Sequence, residues 1–570
     1  MLPLLYQIFE EKSTPGLGLY SVKAGSFSMD LCTKNQDLII KKWYNIFMDI
    51  LIKNGLIIDG SGKEGERKDV WIKNGEISKI GNFKNKKAEV MIDASDSIVA
   101  PGFIDINNDS DHCLSIFTQP EQESLLKQGI TTIIGGNCGS SLAPLIRGDL
   151  KSIRKWTDIN QINIDWQSVA EFLDKISQKK LGVNFGTLIG HATVRRGIIG
   201  DDLRDLTEKE LEQMKYVIEQ GLAEGAFGVS TGLSFSHARL TPFNEILEIL
   251  KIVKKYNVLY ATHLRSEKEN LLSAISELED LAAHLNYQMP KIEISHLKAY
   301  RGWEEELNLS LAVIQGLKEK GVDINFDVYP YTAIAGPLYL YLPDWAIKGG
   351  LEDMMKNIKN DSSRKRIVED LKKKKYDYSF MIVSEMPKTL AFVGKSVYEL
   401  ARMRMISPEE MMMEIMRAGE GRVTVTDQCL SRMPTYWLMK NSLSIIASNG
   451  EGLNYANKKP NFLPHPRSFG AFPKFLAEVN DKKLMDWPEA IRKITLEPAR
   501  KLGIKNRGMI KKGFLADLVV FNPQTINSSA SIESPYQEPV GIEFVIINGE
   551  LVVNKSRFTG IKAGKILKNA

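Results

Sequence analysis

Short apolar runs alternate with helical stretches through the middle of the chain. Runs at 103–107, 131–135, 185–189, 227–230, 259–263, 292–296, 324–329 and 443–448 read as eight buried strands, because each is short, apolar and bounded by turn residues. Helical patterns separate them. One stretch, 211–222, sets Leu211, Met214, Val217, Ile218 and Leu222 on a single face, and Thr207 with Glu210 supplies a capping box before it. Eight βα repeats predict an α/β fold with a closed (β/α)8 TIM-type barrel over 101–502. The gap between strands seven and eight, about 338–440, is far longer than an ordinary crossover. It carries a basic helical stretch (352–375) and a Met-rich helix (408–417), and reads as an inserted subdomain that forms a lid. The methionine stripe reads as that subdomain's core.

The two ends have a different texture. Alternating strand-like runs near 50–52, 69–72 and 77–80 return at 516–521, 544–547 and 551–553, with Asn54-Gly55, Asn74-Gly75 and Asn548-Gly549 as hairpin-turn pairs. They predict a small β-sandwich built from both termini, 48–100 and 503–560. Residues 1–47 have no clear period and read as an N-terminal extension, a loosely packed or disordered arm.

Composition narrows the function classes. The chain has 570 residues, 43% hydrophobic and 25% charged, with a net charge of +5. That is enough to bury a large core. The positive charge is spread out, so nucleic acid is not expected as a partner. The four scattered cysteines, Cys32, Cys113, Cys138 and Cys429, suit a reducing, cytoplasmic setting. No apolar run approaches the roughly 18 residues of a membrane span. The oligomeric state is not legible in the sequence.

The chemistry gathers at strand ends, where an α/β barrel keeps its active site. The strand at 292–296 ends in His296, followed by Lys298; the strand at 259–263 ends in His263; the strand at 131–135 runs into Asn137-Cys138-Gly139. One thiol and two imidazoles from three elements suit a catalytic zinc ion, which leaves a fourth position open. His191, at another strand tip, reads as a hydrogen-bond donor to substrate or as a support for the site. Arg467, Lys298 and Tyr329 are candidates to hold an anionic substrate, since an arginine fork matches a carboxylate.

From Met48 to about Phe558 the chain resembles the N-acyl-D-amino-acid deacylase (D-aminoacylase) family of the amidohydrolase superfamily. The matching segments, in order, include Pro101-Gly102-Phe103-Ile104-Asp105, Gly136-Asn137-Cys138-Gly139, Gly190-His191, Gly228-Val229-Ser230-Thr231-Gly232-Leu233, Ala261-Thr262-His263-Leu264-Arg265, Ile294-Ser295-His296-Leu297-Lys298, Asp327-Val328-Tyr329-Pro330-Tyr331-Thr332 and His465-Pro466-Arg467. The resemblance implies a barrel with a β-sandwich, and hydrolysis of the N-acyl amide of a D-amino acid. It also implies one tight Zn2+ on Cys138, His263 and His296, with Lys298 and Tyr329 on a small-molecule N-acyl amino acid.

The sequence departs from the family at three positions. Two histidines separated by one residue are expected after strand one, where this chain has Asn107 and Asp109. An aspartate serving as general base is expected after strand eight, where this chain has Asn449 within Ser448-Asn449-Gly450. An amide cannot take a proton from water near neutral pH, so the second metal position and the usual base are lost together. Three readings stay open: a one-metal enzyme with a relocated base, Asp109 or Asp111; a catalytically silent protein that still binds zinc and ligand; and a hydrolase with a shifted substrate.

Overall fold

The computed structural model describes residues 48–146, 150–387, 391–458 and 461–569; the extension expected over 1–47 lies outside them. Five strands open the described chain: β1 (Ile50–Ile57), β2 (Glu66–Lys73), β3 (Glu76–Gly81), β4 (Val90–Asp93) and β5 (Ile98–Pro101). Next come β6 (Phe103–Asp105), β7 (Ile130–Gly135), β8 (Asn184–Thr187), β9 (Ile189–Gly190), β10 (Gly228–Gly232), β11 (Leu259–His263), β12 (Lys291–Ile294) and β13 (Ile324–Val328). Three strands lie in the insertion, β14 (Ile334–Pro337), β15 (Met381–Glu385) and β16 (Thr424–Asp427), before β17 (Ser444–Ile446). The chain closes with β18 (Leu518–Phe521), β19 (Ile542–Ile547), β20 (Glu550–Asn554) and β21 (Arg557–Phe558).

The two β-rich ends meet in one nine-stranded sheet, in which β5 pairs antiparallel with β18. Their inward side chains, among them Ile52, Val70, Ile72, Val99, Leu518 and Ile546, form one apolar cluster. Asn74-Gly75 joins β2 to β3 and Asn548-Gly549 joins β19 to β20, as the turn chemistry predicts. Asn54-Gly55 does not make a turn. It sits inside β1 at a register shift, with Asn54 at φ 62°, so its tolerance of positive φ serves a bulge.

The middle strands are parallel. β6 pairs with β7 and β7 with β8, while β9, β10, β11, β12, β13 and β17 follow one another in a second ladder. Only Leu188 separates β8 from β9. Its N–H donates to the Gly135 carbonyl at 2.9 Å, and Phe227 N–H donates to the Thr187 carbonyl at 2.9 Å, so the two ladders are continuous. The loops after β6 and β17 also meet: Asn449 N–H donates to the Asn107 carbonyl at 2.9 Å and Asp109 N–H to the Gly450 carbonyl at 2.7 Å. Between these loops the buried Asp105 carboxylate accepts from the Ser448 N–H at 2.9 Å and from Asn108 Nδ2 at 2.9 Å. Ile104, Ile134, Leu259 and Ile445, from four separate strands, share one buried cluster with Leu188.

The expected helix spans Glu208–Ala223, with the Thr207–Glu210 capping box formed and Met214, Ile218 and Leu222 buried. The insertion has its own three-stranded sheet, order β14-β16-β15. In its helix Pro408–Ala418, Met411, Met412, Met413 and Met416 are buried against Met354, Ile367 and Val425. The stripe is therefore core. Among the described residues no helix is long and apolar enough to cross a membrane.

Candidate metal centre and active-site cavity

A cavity of about 480 Å³ opens where the parallel strands end, with the insertion residues Pro337, Leu340, Tyr341, Lys374 and Tyr376 on its other side. That volume suits a small organic ligand. Cys138, His263, His296, Lys298, Asp109, Asn449 and Arg467 all line it.

Cys138 reaches the cavity because its loop is pressed against β10. Gly136 takes φ 75°, and a Cβ there would fall 2.1 Å from the Leu188 carbonyl oxygen. A Cβ on Gly232 would lie 2.1 Å from the Cys138 carbonyl oxygen. Ser230 Oγ accepts from the Gly139 N–H at 3.0 Å. Cys138, His296 and Asn449 themselves have positive φ (51°, 40° and 48°). Such conformations cost non-glycine residues energy, and here they turn three side chains toward one point.

The candidate ligand atoms of Cys138, His263 and His296 all lie within 4.8 Å of one another. Cys138 Sγ is 3.3 Å from His296 Nε2. His263 Nε2 meets Ser234 Oγ at 2.7 Å, which leaves its Nδ1 buried without a hydrogen-bond partner. Burial holds both imidazoles below the usual histidine range, so both are neutral, as metal ligands must be. An orphaned buried nitrogen beside a sulfur and a second nitrogen is a donor set that fits a zinc ion.

Glu267, which the sequence reading did not single out, is built into the same site. One of its oxygens lies 2.5 Å from Lys298 Nζ, 3.3 Å from His296 Nδ1 and 3.6 Å from His263 Nε2. The other accepts from Tyr300 OH at 3.0 Å. His296 Nδ1 faces both the Lys298 ammonium, at 3.1 Å, and this carboxylate, while its Nε2 lies on the Cys138 side. Burial would raise this carboxyl, but the Lys298 ammonium beside it holds it well below the usual carboxylate range. Glu267 lies four positions after His263, and that nearness to a strand-end histidine was the available sequence signal.

Asn107 and Asn449 belong to a hydrogen-bond network at the rim of the cavity. Asn449 Nδ2 donates to Asp109 Oδ2 at 3.1 Å and lies 3.5 Å from Asn107 Oδ1. Asn107 Nδ2 donates to Asp327 Oδ2 at 3.1 Å. Arg467 lies 3.8 Å from Asp109 and 5.0 Å over the Tyr329 ring. Arg467 Nε and Tyr329 OH are buried without hydrogen-bond partners. Asp327 was also missed by the sequence reading; burial raises its carboxyl, against the Asn107 hydrogen bond.

Three expected site residues stand outside the lining, the first being Tyr329, over whose ring Arg467 lies. His191 does not line the cavity: its Nε2 pairs with the buried Glu245 at 2.7 Å, which also takes Arg195 Nε at 3.0 Å. It supports the Cys138 loop from behind, and the neighbouring Ala192 N–H donates to the Gly139 carbonyl at 2.8 Å. Asp111 is likewise turned away. Its carboxylate accepts from the Gly136 N–H at 2.6 Å and the His112 N–H at 2.9 Å. It shapes the loop and is not at hand as a base. Lys298 does line the cavity, but Glu267 holds its ammonium.

A parallel α/β body with a Cys/His/His cluster at its strand ends resembles the amidohydrolases, and the comparisons agree. Residues 389–553 match the model of the Amidohydrolase family. D-aminoacylase of Alcaligenes xylosoxydans xylosoxydans is 29% identical over 524 residues, 91% of this chain and 97% of its own length. An N-acyl-D-glutamate deacylase from Bordetella bronchiseptica, solved with zinc and a phosphonate mimic of the tetrahedral intermediate, superposes with a TM-score of 0.78. The match covers 92% of this chain and 100% of that one at 24% identity, and supports the fold. A D-aminoacylase structure, described for one-metal activation and second-metal attenuation of its binuclear centre, is 25% identical with a TM-score of 0.76, covering 92% and 100%. The chain is a homologue of the N-acyl-D-amino-acid deacylases, and the comparisons support a hydrolase acting on carbon–nitrogen bonds other than peptide bonds.

Proposed function

We propose that the chain is a zinc-dependent amidohydrolase that cleaves the N-acyl amide of a D-amino acid with one metal ion and with Asp109 as proton acceptor. In this reading the eight parallel strands close as a (β/α)8 barrel over 101–502, beside a β-sandwich from 48–100 and 503–560. The insertion at about 338–440 covers the barrel mouth. The hydrogen bonds between the loops after β6 and β17 support that closure.

The observation that carries the reading is the position of Asp109. Its carboxylate lines the same cavity as Cys138, His263 and His296, and Asn449 Nδ2 orients it at 3.1 Å. Cys138, His263 and His296 would hold the zinc, which when bound supplies Lewis-acid polarisation of the amide carbonyl. Asp109 takes the proton from the attacking water and returns it to the leaving nitrogen. Arg467, with its unpartnered Nε, offers its fork to the substrate carboxylate. Tyr329 supports Arg467, whose guanidinium lies 5.0 Å over its ring, from outside the cavity lining. Lys298 and Glu267 fix the imidazole of His296. The substrate class, a small-molecule N-acyl D-amino acid, comes from the names of the relatives. Free thiols at Cys138 and Cys429 suit a reducing cytoplasm.

The same network also favours a second reading, a silent zinc- and ligand-binding homologue, because Asn107 and Asn449 satisfy each other where a base and a second metal would be. The test is turnover of N-acetyl-D-amino acids by purified, zinc-loaded protein. Activity lost in both Cys138→Ala and Asp109→Asn supports the enzyme. Ligand binding without turnover, with activity created by Asn449→Asp together with Asn107→His and Asp109→His, supports the silent homologue.

A further inference from the structure

His112 stands behind Asp109, and neither the metal centre nor the reaction described above uses it. It is 1% exposed, and its ring stacks parallel to Trp156 with centroids 6.4 Å apart. Its Nε2 lies 2.7 Å from the Ser140 carbonyl oxygen. Its Nδ1 is buried, makes no hydrogen bond, and lies 3.4 Å from Asp109 Oδ1. The backbone fixes this approach, because the Cys113 N–H donates to the Asp109 carbonyl at 2.9 Å and closes the turn between the two residues.

The protons on this ring follow from its partners. A carbonyl only accepts, so His112 Nε2 carries a proton. A neutral imidazole has just one, and its Nδ1 would then aim a lone pair at a carboxylate oxygen. Two buried acceptors facing each other leave both without a donor, which is costly. One further proton between Nδ1 and Oδ1 turns that contact into a charge-assisted hydrogen bond.

We infer that His112 is held as an imidazolium whose Nδ1–H fixes Asp109 Oδ1, so that Oδ2 is left to take the proton from water; this rests on the reading of Asp109 as the proton acceptor. His112 is a positioning residue. It keeps both of its protons while one proton passes from water to Asp109 Oδ2 and on to the leaving nitrogen. Asn449 Nδ2 orients that second oxygen at 3.1 Å.

The surroundings favour the charged ring over a neutral pair with the proton on Asp109. Asp111 Oδ1 lies 4.0 Å from His112 Nε2. Both oxygens of Asp111 accept backbone N–H bonds, from Gly136 and His112, which suits an anion. The nearby cation, Lys155, is occupied by Ser140 Oγ at 2.9 Å and the Ser152 carbonyl at 2.7 Å. Burial would depress the imidazole, but the carboxylates of Asp111 and Asp109 raise it above the ordinary histidine value.

The experiment combines imidazole-nitrogen NMR of the zinc-loaded full chain near neutral pH with kinetics of two variants. The His112 resonances, assigned by their loss in His112→Gln, should show both nitrogens protonated, with an Nδ1–H signal that moves in Asp109→Asn. An Nδ1 without a proton would overturn the proposal. That spectrum decides the pair even where wild type turns nothing over, the outcome that removes Asp109 as proton acceptor. The kinetics separate positioning from support of the Cys138 loop. The amide nitrogen of Gln reaches where Nε2 stood, and that of Asn where Nδ1 stood. His112→Gln keeps a donor for the Ser140 carbonyl and should lose about tenfold or more in kcat, with KM and zinc content unchanged. His112→Asn keeps a donor for Asp109 and should retain most of kcat. The reverse order, or equal loss in both, would overturn the positioning role. If either variant fails to fold, the wild-type spectrum and the other variant carry the test.

Discussion

Replacing Glu267 by Gln isolates the part of the site that the sequence reading did not find. The change keeps shape and volume but removes the charge from a carboxylate 2.5 Å from Lys298 and 3.3 Å from His296 Nδ1. Two effects follow. The His296 imidazole loses the charged group that, with Lys298, orients it, a change worth about 10–100-fold in metal affinity, or about 1.4–2.7 kcal/mol. Lys298, whose side chain is 9% exposed, keeps a buried charge without its counter-ion. Removing one partner of a buried pair costs about 3–5 kcal/mol; Glu267 is 19% exposed, so the lower end applies to the metal-free protein. Zinc affinity is read by competition with a chromophoric chelator, and stability by denaturant unfolding of the metal-free form. Loss of both is expected in Glu267→Gln, with partial recovery of zinc affinity in Glu267→Asp. Zinc affinity unchanged in Glu267→Gln would refute the reasoning, because the carboxylate would then not govern the histidine.

Asp109→Asn should lower kcat by about 100-fold or more while zinc content stays unchanged; a parallel loss of zinc would make Asp109 a ligand. Asp105 gives a pH signature. Burial raises its carboxyl from 3.8 to about 6 against the Ser448 and Asn108 hydrogen bonds. Its folded value lies above its unfolded one, so this contribution is full below about pH 4 and lost as pH rises through about 6. The advantage of wild type over Asp105→Asn should therefore shrink by about 2.4 kcal/mol between pH 4 and pH 7, as read from unfolding free energies; a widening gap would contradict it. Met412→Ala should destabilise by about 2–5 kcal/mol, because Met412 is fully buried in the core of the insertion; a change under about 1 kcal/mol would mean that core collapses around the gap.

The hydrophobic pattern carried most of the architecture. Period and length placed all eight parallel strands, the capped helix Glu208–Ala223 and the methionine core, because burial of one face repeats at a spacing that the sequence records directly. Strand-end position also brought Cys138, His263 and His296 together, since side chains that follow parallel strands must share one end. Asn54-Gly55 was misread because positive φ serves a bulge as well as a turn, and only strand pairing distinguishes the two.

What the sequence could not determine is what each polar side chain meets. His191 and Cys138 both follow strands, yet His191 is claimed by Glu245, 54 positions away. Asp109 and Asp111 are two residues apart on one loop, but one faces the cavity and the other holds the Gly136 N–H. Glu267 acquires its role only when Lys298 and Tyr300 arrive from the next loop. Such partners are distant along the chain, and hydrogen bonding acts over about 3 Å, so only the tertiary structure decides them.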